Sequence, residues 1–274
     1  MSWQHIHTAL DKDAGVLGIE LASPKGNVLS MAMMNEIAAA LVQHRDVAEL
    51  KAVLLCAEGR HFSFGASVAE HVRDQAPVML NTFHDLVREI ANYPVPIVSI
   101  VQGRCLGGAF EIVLCCHVVL AMRSAVFACP EINLGVFPPV LAAVGHLRLG
   151  GALAERLLLT GDELRADAAH QCGFVAQVHS DIDSAVTVDS DVSAAPSPRE
   201  LGLAWIAANF GQKSAFSLRQ ATKAIRYASG LRVQIEGALH AVEKQYIEEV
   251  LPSHDGNEGI DAFLHRRKPS WKHA

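Results

Sequence analysis

The chain has 274 residues, 50% hydrophobic and 19% charged, which suits one large domain, or a main domain with an appendage, and excludes a disordered chain. Lys plus Arg number 23 and Asp plus Glu 29, a formal charge of −6, which disfavours a generic nucleic-acid or membrane-surface binder while leaving room for a local basic patch. No run approaches the roughly 18 apolar residues of a membrane-spanning helix.

Residues 1–13 (MSWQHIHTALDKD) lack the apolar core of a secretory signal. The six cysteines are too few, in a chain this long, for a disulfide framework. We therefore expect reduced, mostly buried thiols in a cytoplasmic protein. With no C-x-x-C or H-E-x-x-H run, no metal site is expected.

Residues 15–22 (GVLGIELA) are short, apolar and bounded by Asp and Pro, which predicts a strand. PKGN at 24–27 is a turn. Met34, Ile37, Ala38, Leu41 and Val42 follow the spacing of an amphipathic helix face. Residues 51–57 (KAVLLCA) predict a buried strand, and 58–65 an irregular loop. A helix is predicted over 78–93, ending before Pro94 and Pro96. Residues 97–101 (IVSIV) predict another buried strand, followed by a glycine-bearing turn at 103–108, a helix through Leu114 and a strand at 118–122. This alternation predicts an α/β fold with a largely parallel sheet. From 181 to 198 the sequence turns polar, acidic and small, which predicts a linker or surface loop. Beyond it, Ile235, Leu239, Val242, Tyr246 and Val250 form one apolar helical stripe.

The chemistry centres on the turn at 103–108. Gly107 and Gly108 stand where a strand hands over to a helix, so backbone N–H groups there are unpaired and carry the positive end of the helix dipole. Glycine permits close approach of a ligand. Glu111 lies about one turn on, with its Cβ leaning back toward the N-terminus, so an oxyanion donor and a proton-transfer group share a small volume. The same residues also fit an ordinary buried helix start with Glu111 paired to a surface cation. G-x-G-x-x-G is absent, so a dinucleotide fold is the weaker reading.

Two more segments sharpen this. HFSFGASVAEH at 61–71 can present the Gly65 and Ala66 amides to a ligand, and CPEINLG at 129–135 puts Glu131 in a proline-fixed turn. With RCLGGAFE at 104–111, LLLTGDELRADAA at 157–169, GFV at 173–175 and FLHRRKPSW at 263–271, nearly the whole chain resembles the crotonase superfamily of enoyl-CoA hydratases and isomerases.

The resemblance implies a ClpP/crotonase-like spiral of ββα units over 1–195, with a helical region over 196–274 serving oligomerisation, as a homotrimer or homohexamer, and CoA contact. It implies an acyl-CoA substrate, no cofactor (the CoA being part of the substrate), and neither nucleic-acid nor membrane partners. The Ala66 and Gly108 amides match the family's oxyanion hole. Glu111 and Glu131 match the glutamate pair that activates water and moves the carbon-bound proton. Lys25 and Gly65, Phe110, Phe137 and Pro139, and Phe263 and Arg266 fall at positions implied to bind substrate or CoA. Arg266, Arg267 and Lys268 also fit a plain solvated helix end.

Three departures from the common family pattern stand out: Ser67 after Ala66, Phe110 before Glu111, and VFPPV at 136–140 in place of a glycine-rich stretch. Pro139 has no N–H to donate. With PKGNVLSMAMMNEI and HFSFGASVAEH, this loop resembles the dienoyl-CoA hydratases of anaerobic aromatic degradation. They carry out 1,4-hydration of cyclohexa-1,5-diene-1-carbonyl-CoA to 6-hydroxycyclohex-1-ene-1-carbonyl-CoA. A straight-chain enoyl-CoA hydratase, an isomerase, and a non-catalytic CoA- or RNA-binding homologue remain open. A serine hydrolase built on Ser67 and His71 lacks the G-x-S-x-G elbow.

Overall fold

The computed structural model describes residues 3–24, 26–71, 75–181 and 196–274. It opens with an antiparallel hairpin, β1 (Ile6–Asp11) against β2 (Val16–Leu21). Helix α1 (Met31–His44), capped by the Ser30 hydroxyl, leads to β3 (Ala52–Ala57). Helix α2 (Ala76–Ala91) precedes β4 (Ile97–Val101), the short β5 (Arg104–Leu106), α3 (Gly108–Cys115), β6 (Val118–Met122) and β7 (Val126–Ala128). Then come α4 (Pro139–Leu149), α5 (Gly151–Thr160), β8 (Leu164–Arg165), α6 (Ala166–Gln171) and β9 (Gln177–His179).

The main sheet runs β1-β2-β3-β4-β6-β9 and is parallel from β2 onward; β5-β7-β8 form a second, small sheet. β3 and β4 are buried along their whole length, as central parallel strands covered on both faces must be. Side-chain alternation sorts them into two layers. Val53, Leu55 and Ala57 enter the main core, while Ala52, Leu54 and Cys56 face α7 (Pro198–Phe210) through Ile206. Gly202 lets α7 press onto the sheet, since a Cβ there would meet Leu54 at 2.6 Å.

The remaining helices are α8 (Ala215–Ala228), α9 (Leu231–Val233), α10 (Leu239–Gln245) and α11 (His254–Leu264), with π turns at Gln234–Ala238 and Tyr246–Val250 on either side of α10. The predicted α/β architecture is present. The expected linker falls almost wholly on 182–195, outside the described residues. Three local expectations change. The buried face of α1 is Met33, Met34, Ile37, Ala40 and Leu41, whereas Val42 is 59% exposed, because the core stripe is centred on the Met33–Ile37 side. The helix predicted over 78–93 begins and ends two residues earlier, leaving Tyr93 to bury its ring and donate its hydroxyl to Leu41 O at 3.0 Å. The turn at 103–108 contains a three-residue strand, β5, parallel to β7.

Candidate active site

The loop carrying Ala66 is held by Asn27, a buried residue with φ 51° in the predicted 24–27 turn, to which the sequence reading gave no role at the site. Its amide donates to the carbonyls of Glu58, His61 and Phe62 at 3.0, 3.3 and 3.2 Å. Leu29 then pairs with the loop as in a parallel ladder: Leu29 N donates to Gly65 O at 2.9 Å and Ser67 N to Leu29 O at 3.1 Å. The ladder occupies residues 65 and 67 and leaves the Ala66 N–H on the opposite side, without a protein acceptor among the described residues. The expectation for Gly65 needs correcting: its N–H is spent on Ser63 Oγ at 3.0 Å, although the residue does line the site.

Gly107 turns the chain from β5 into α3 with φ 52°, and its N–H bonds to Ala128 O at 2.8 Å. Gly108 is the first residue of α3, where no intrahelical acceptor exists for its N–H. A Cβ on Gly108 would sit 3.5 Å from the Ala66 methyl and 3.2 Å from the Phe83 ring, so the two amide-bearing residues border one space. That space has two compartments. The outer, of about 530 Å³, is lined by Gly65, Ala66, Gly107, Glu131, Leu134 and Phe263 among others. The inner, of about 20 Å³, is lined by Ala66, Gly108, Glu111, Glu131, Phe137 and Pro139 among others. A volume of that order holds one water.

Glu111 is 3% exposed and meets no surface cation. Its Oε1 accepts from Val140 N at 2.7 Å and Leu141 N at 2.9 Å, the first free amides of α4. Pro139 is therefore well placed: at the first position of a helix its missing N–H costs no intrahelical bond, and its fixed φ pre-forms the turn that aims the next two amides. Glu131 sits on a 3-10 turn, Pro130–Leu134. A Cβ on Gly107 would come 2.5 Å from its Oε1, so glycine is required there for the carboxyl to close in. Glu131 Oε2 is buried with no hydrogen-bond partner among the described residues.

Burial pushes the Glu111 carboxyl above the usual range, opposed by the Leu141 and Val140 amides. Burial also pushes Glu131 up, and the Glu111 charge adds to it. The two amides stabilise negative charge on Glu111, whereas Glu131 has only its own backbone amide, the smallest of the influences on it. The pair therefore favours an ionised Glu111 and a protonated Glu131.

Of the other expected site residues, Phe137 lines the inner compartment and Phe263, 55% exposed, the outer. Phe110 does not: it is fully buried against Phe127 and Phe174, ring centroids 5.3 and 5.7 Å away, because it points from α3 into the core. Arg266 lies exposed past the end of α11 and lines neither compartment; its neighbour Arg267 is held by Glu258 and Asp261. Lys25 lies outside the described residues. His71 Nδ1 faces the Ser67 carbonyl at 2.8 Å, so it carries a proton there and forms no Ser–His nucleophile pair. Sequence reasoning missed Phe83 and Tyr246, which line the inner compartment from segments carrying no motif; His71, the last residue of the 61–71 motif and weighed only as a hydrolase partner, lines it too.

Comparison with known proteins finds relatives over nearly the whole chain. A family described as enoyl-CoA hydratase/isomerase matches residues 11–274. The chain is 38% identical over 263 residues to a protein of Thauera aromatica named cyclohexa-1,5-dienecarbonyl-CoA hydratase, covering 96% of this chain and 95% of that one. It is 30% identical to the 2,3-dehydroadipyl-CoA hydratase of Escherichia coli (strain K12), covering 90% and 89%. A solved enoyl-CoA hydratase from Mycobacterium avium subsp. paratuberculosis K-10 superposes with a TM-score of 0.81 at 26% identity, covering 99% of this chain and 100% of that one.

Proposed function

The chain belongs to the enoyl-CoA hydratase/isomerase family, and from that premise we propose that it hydrates a conjugated cyclic dienoyl-CoA thioester, cyclohexa-1,5-diene-1-carbonyl-CoA, by 1,4-addition of water. The observation that carries the reading is the convergence of two buried carboxyls and two unspent amides on a compartment of one-water size.

The thioester oxygen accepts hydrogen bonds from the Ala66 and Gly108 amides, which strengthen as charge develops on it. Water in the inner compartment loses a proton to Glu111 and bonds through oxygen to the carbon β to the thioester. The electron pair moves through the diene toward the thioester oxygen, and Glu131 gives its proton to the far end of the diene. One water is added in total; proton return from Glu111 to Glu131 resets the pair. The apolar Val68, Leu134, Val136 and Ile260 walls of the outer compartment suit a hydrocarbon ring rather than a polar chain. The 38% identity to the Thauera aromatica hydratase supports the cyclic substrate over a straight-chain one.

No resident metal or cofactor is needed. No described helix is long and apolar enough to cross a membrane. The six cysteines carry no disulfide, in keeping with a cytoplasmic setting. Exposed Phe216, Ile225 and Tyr227 on α8, and Val233 on α9, offer apolar surface for a homotrimer or homohexamer. The deciding assay follows the conjugated thioester absorbance with purified protein on cyclohexa-1,5-diene-1-carbonyl-CoA and on crotonyl-CoA. We expect the diene to be preferred in kcat/KM; equal or faster turnover of crotonyl-CoA overturns the cyclic reading.

A further inference from the structure

The inner compartment contains a polar group that the glutamate-pair chemistry does not use. Tyr246 is 1% exposed, with its ring against Phe137 at 5.4 Å and 73°, and it lines the compartment together with Glu111, Glu131 and Gly108. Its hydroxyl makes no hydrogen bond to any described residue, although a buried phenol ordinarily finds a partner. Tyr246 begins the π turn Tyr246–Val250. Such turns change the register of a helix face locally and recur at functional sites. Burial and then the charges of Glu131 and Glu111 push the phenol above its usual range, so it stays protonated and can donate.

Apart from the Glu131 O–H, which the proposed step directs at the diene, the rest of the lining offers a water little to accept from. Pro138 and Pro139 have no N–H. The Val140 and Leu141 amides are spent on Glu111. With Nδ1 donating to Ser67 O, His71 leaves a lone pair on Nε2. The Ala66 and Gly108 amides belong to the thioester oxygen. A water between the carboxyls can direct its two protons at their oxygens, but it needs a donor to fix its lone pairs.

We propose that Tyr246 is a positioning residue for hydration, its Oη donating to the water in the inner compartment so that the water's other lone pair faces the β carbon. The inference rests on the hydratase reading above. In an enzyme whose carboxyl is supported by amides from a proline-led helix start, the phenol supplies the donor that Pro139 lacks.

The test compares the full-length wild type with Tyr246→Phe, which keeps the ring packing and removes only the hydroxyl. Each is assayed on cyclohexa-1,5-diene-1-carbonyl-CoA and on crotonyl-CoA. The expected result is a kcat lower by roughly ten- to a hundredfold on whichever ester the wild type hydrates, with KM within threefold and the unfolding midpoint unchanged. A merely structural tyrosine moves the midpoint and leaves kcat of the folded fraction intact. A variant within twofold of the wild-type kcat overturns the inference while the hydratase reading stands. A wild type inactive on both esters overturns that reading and the inference with it.

Discussion

Replacing Gly107 by alanine displaces the Glu131 carboxyl without altering its chemistry. The new methyl would lie 2.5 Å from Glu131 Oε1, against 3.4 Å or more for ordinary contact, so the carboxyl or the turn must yield by about 0.9 Å. Displacement of about 1 Å in a reacting constellation costs roughly a hundredfold in rate. With φ 52° and ψ −130°, Gly107 lies outside the left-handed helical well, and a residue with a Cβ there is strained by about 1–3 kcal/mol. Gly173→Ala is the control for a positive φ alone, since Gly173 has φ 82° but nothing within 4 Å of its would-be Cβ. It places a side chain at a positive φ without the collision. Steady-state kinetics on the preferred ester, with urea unfolding of both variants, separates the two effects. We expect both to lose about 1–3 kcal/mol of stability and only Gly107→Ala to lose about a hundredfold in kcat, with KM little changed. If Gly107→Ala keeps kcat within threefold of Gly173→Ala, the carboxyl is not held against Gly107 for catalysis, and the proton-transfer role given to Glu131 fails.

Glu111→Gln and Glu131→Gln each remove one proton-transfer group while preserving shape, and each should lower kcat by about 10²–10⁴. Activity surviving in Glu111→Gln but lost in Glu131→Gln would indicate a double-bond isomerase instead. Stability should depend on pH through the same pair. Both carboxyls are raised in the folded state from 4.5, so the unfolded chain releases their protons first, and stability falls as pH rises above about 4.5 toward the folded-state values. Urea midpoints from pH 5 to 8 should show this decline, shallower in Glu131→Gln; an unchanged slope in that variant would contradict the burial-driven shift. Finally, Phe110→Ala should destabilise by about 3–5 kcal/mol with KM unchanged, as for a core aromatic. Phe263→Ala should raise KM at little cost in stability, and the reverse pattern would reassign both residues.

Much of the fold was legible because burial on both faces leaves a local signature. β3 is an unbroken apolar run between Lys51 and Glu58, and β4 follows Pro96 and is interrupted only by the buried Ser99, so no other local structure accommodates them as well. The π turns around α10 were not legible, since the apolar spacing through Ile235, Leu239 and Tyr246 reads as one regular helix. At the site, local sequence carried what local backbone decides: a glycine pair starting a helix, a proline-fixed turn beneath Glu131, and a proline at the start of α4. It could not carry which way a helical side chain points, so Phe110, one residue from Glu111, was expected at the ligand and lies in the core. Nor could it show that the amides of residues 140 and 141 turn to Glu111, or that Tyr246, more than a hundred residues from either glutamate, closes the same compartment. Composition and periodicity are properties of neighbouring residues, and they determined the layers of this protein and the glycine turn on which its chemistry is built. The meeting of α3, the 130–134 turn, the start of α4 and the second π turn around one water-sized space is a long-range packing outcome. Only the tertiary structure decided it, because side chains there are oriented by contacts with distant segments rather than by their own place in the chain.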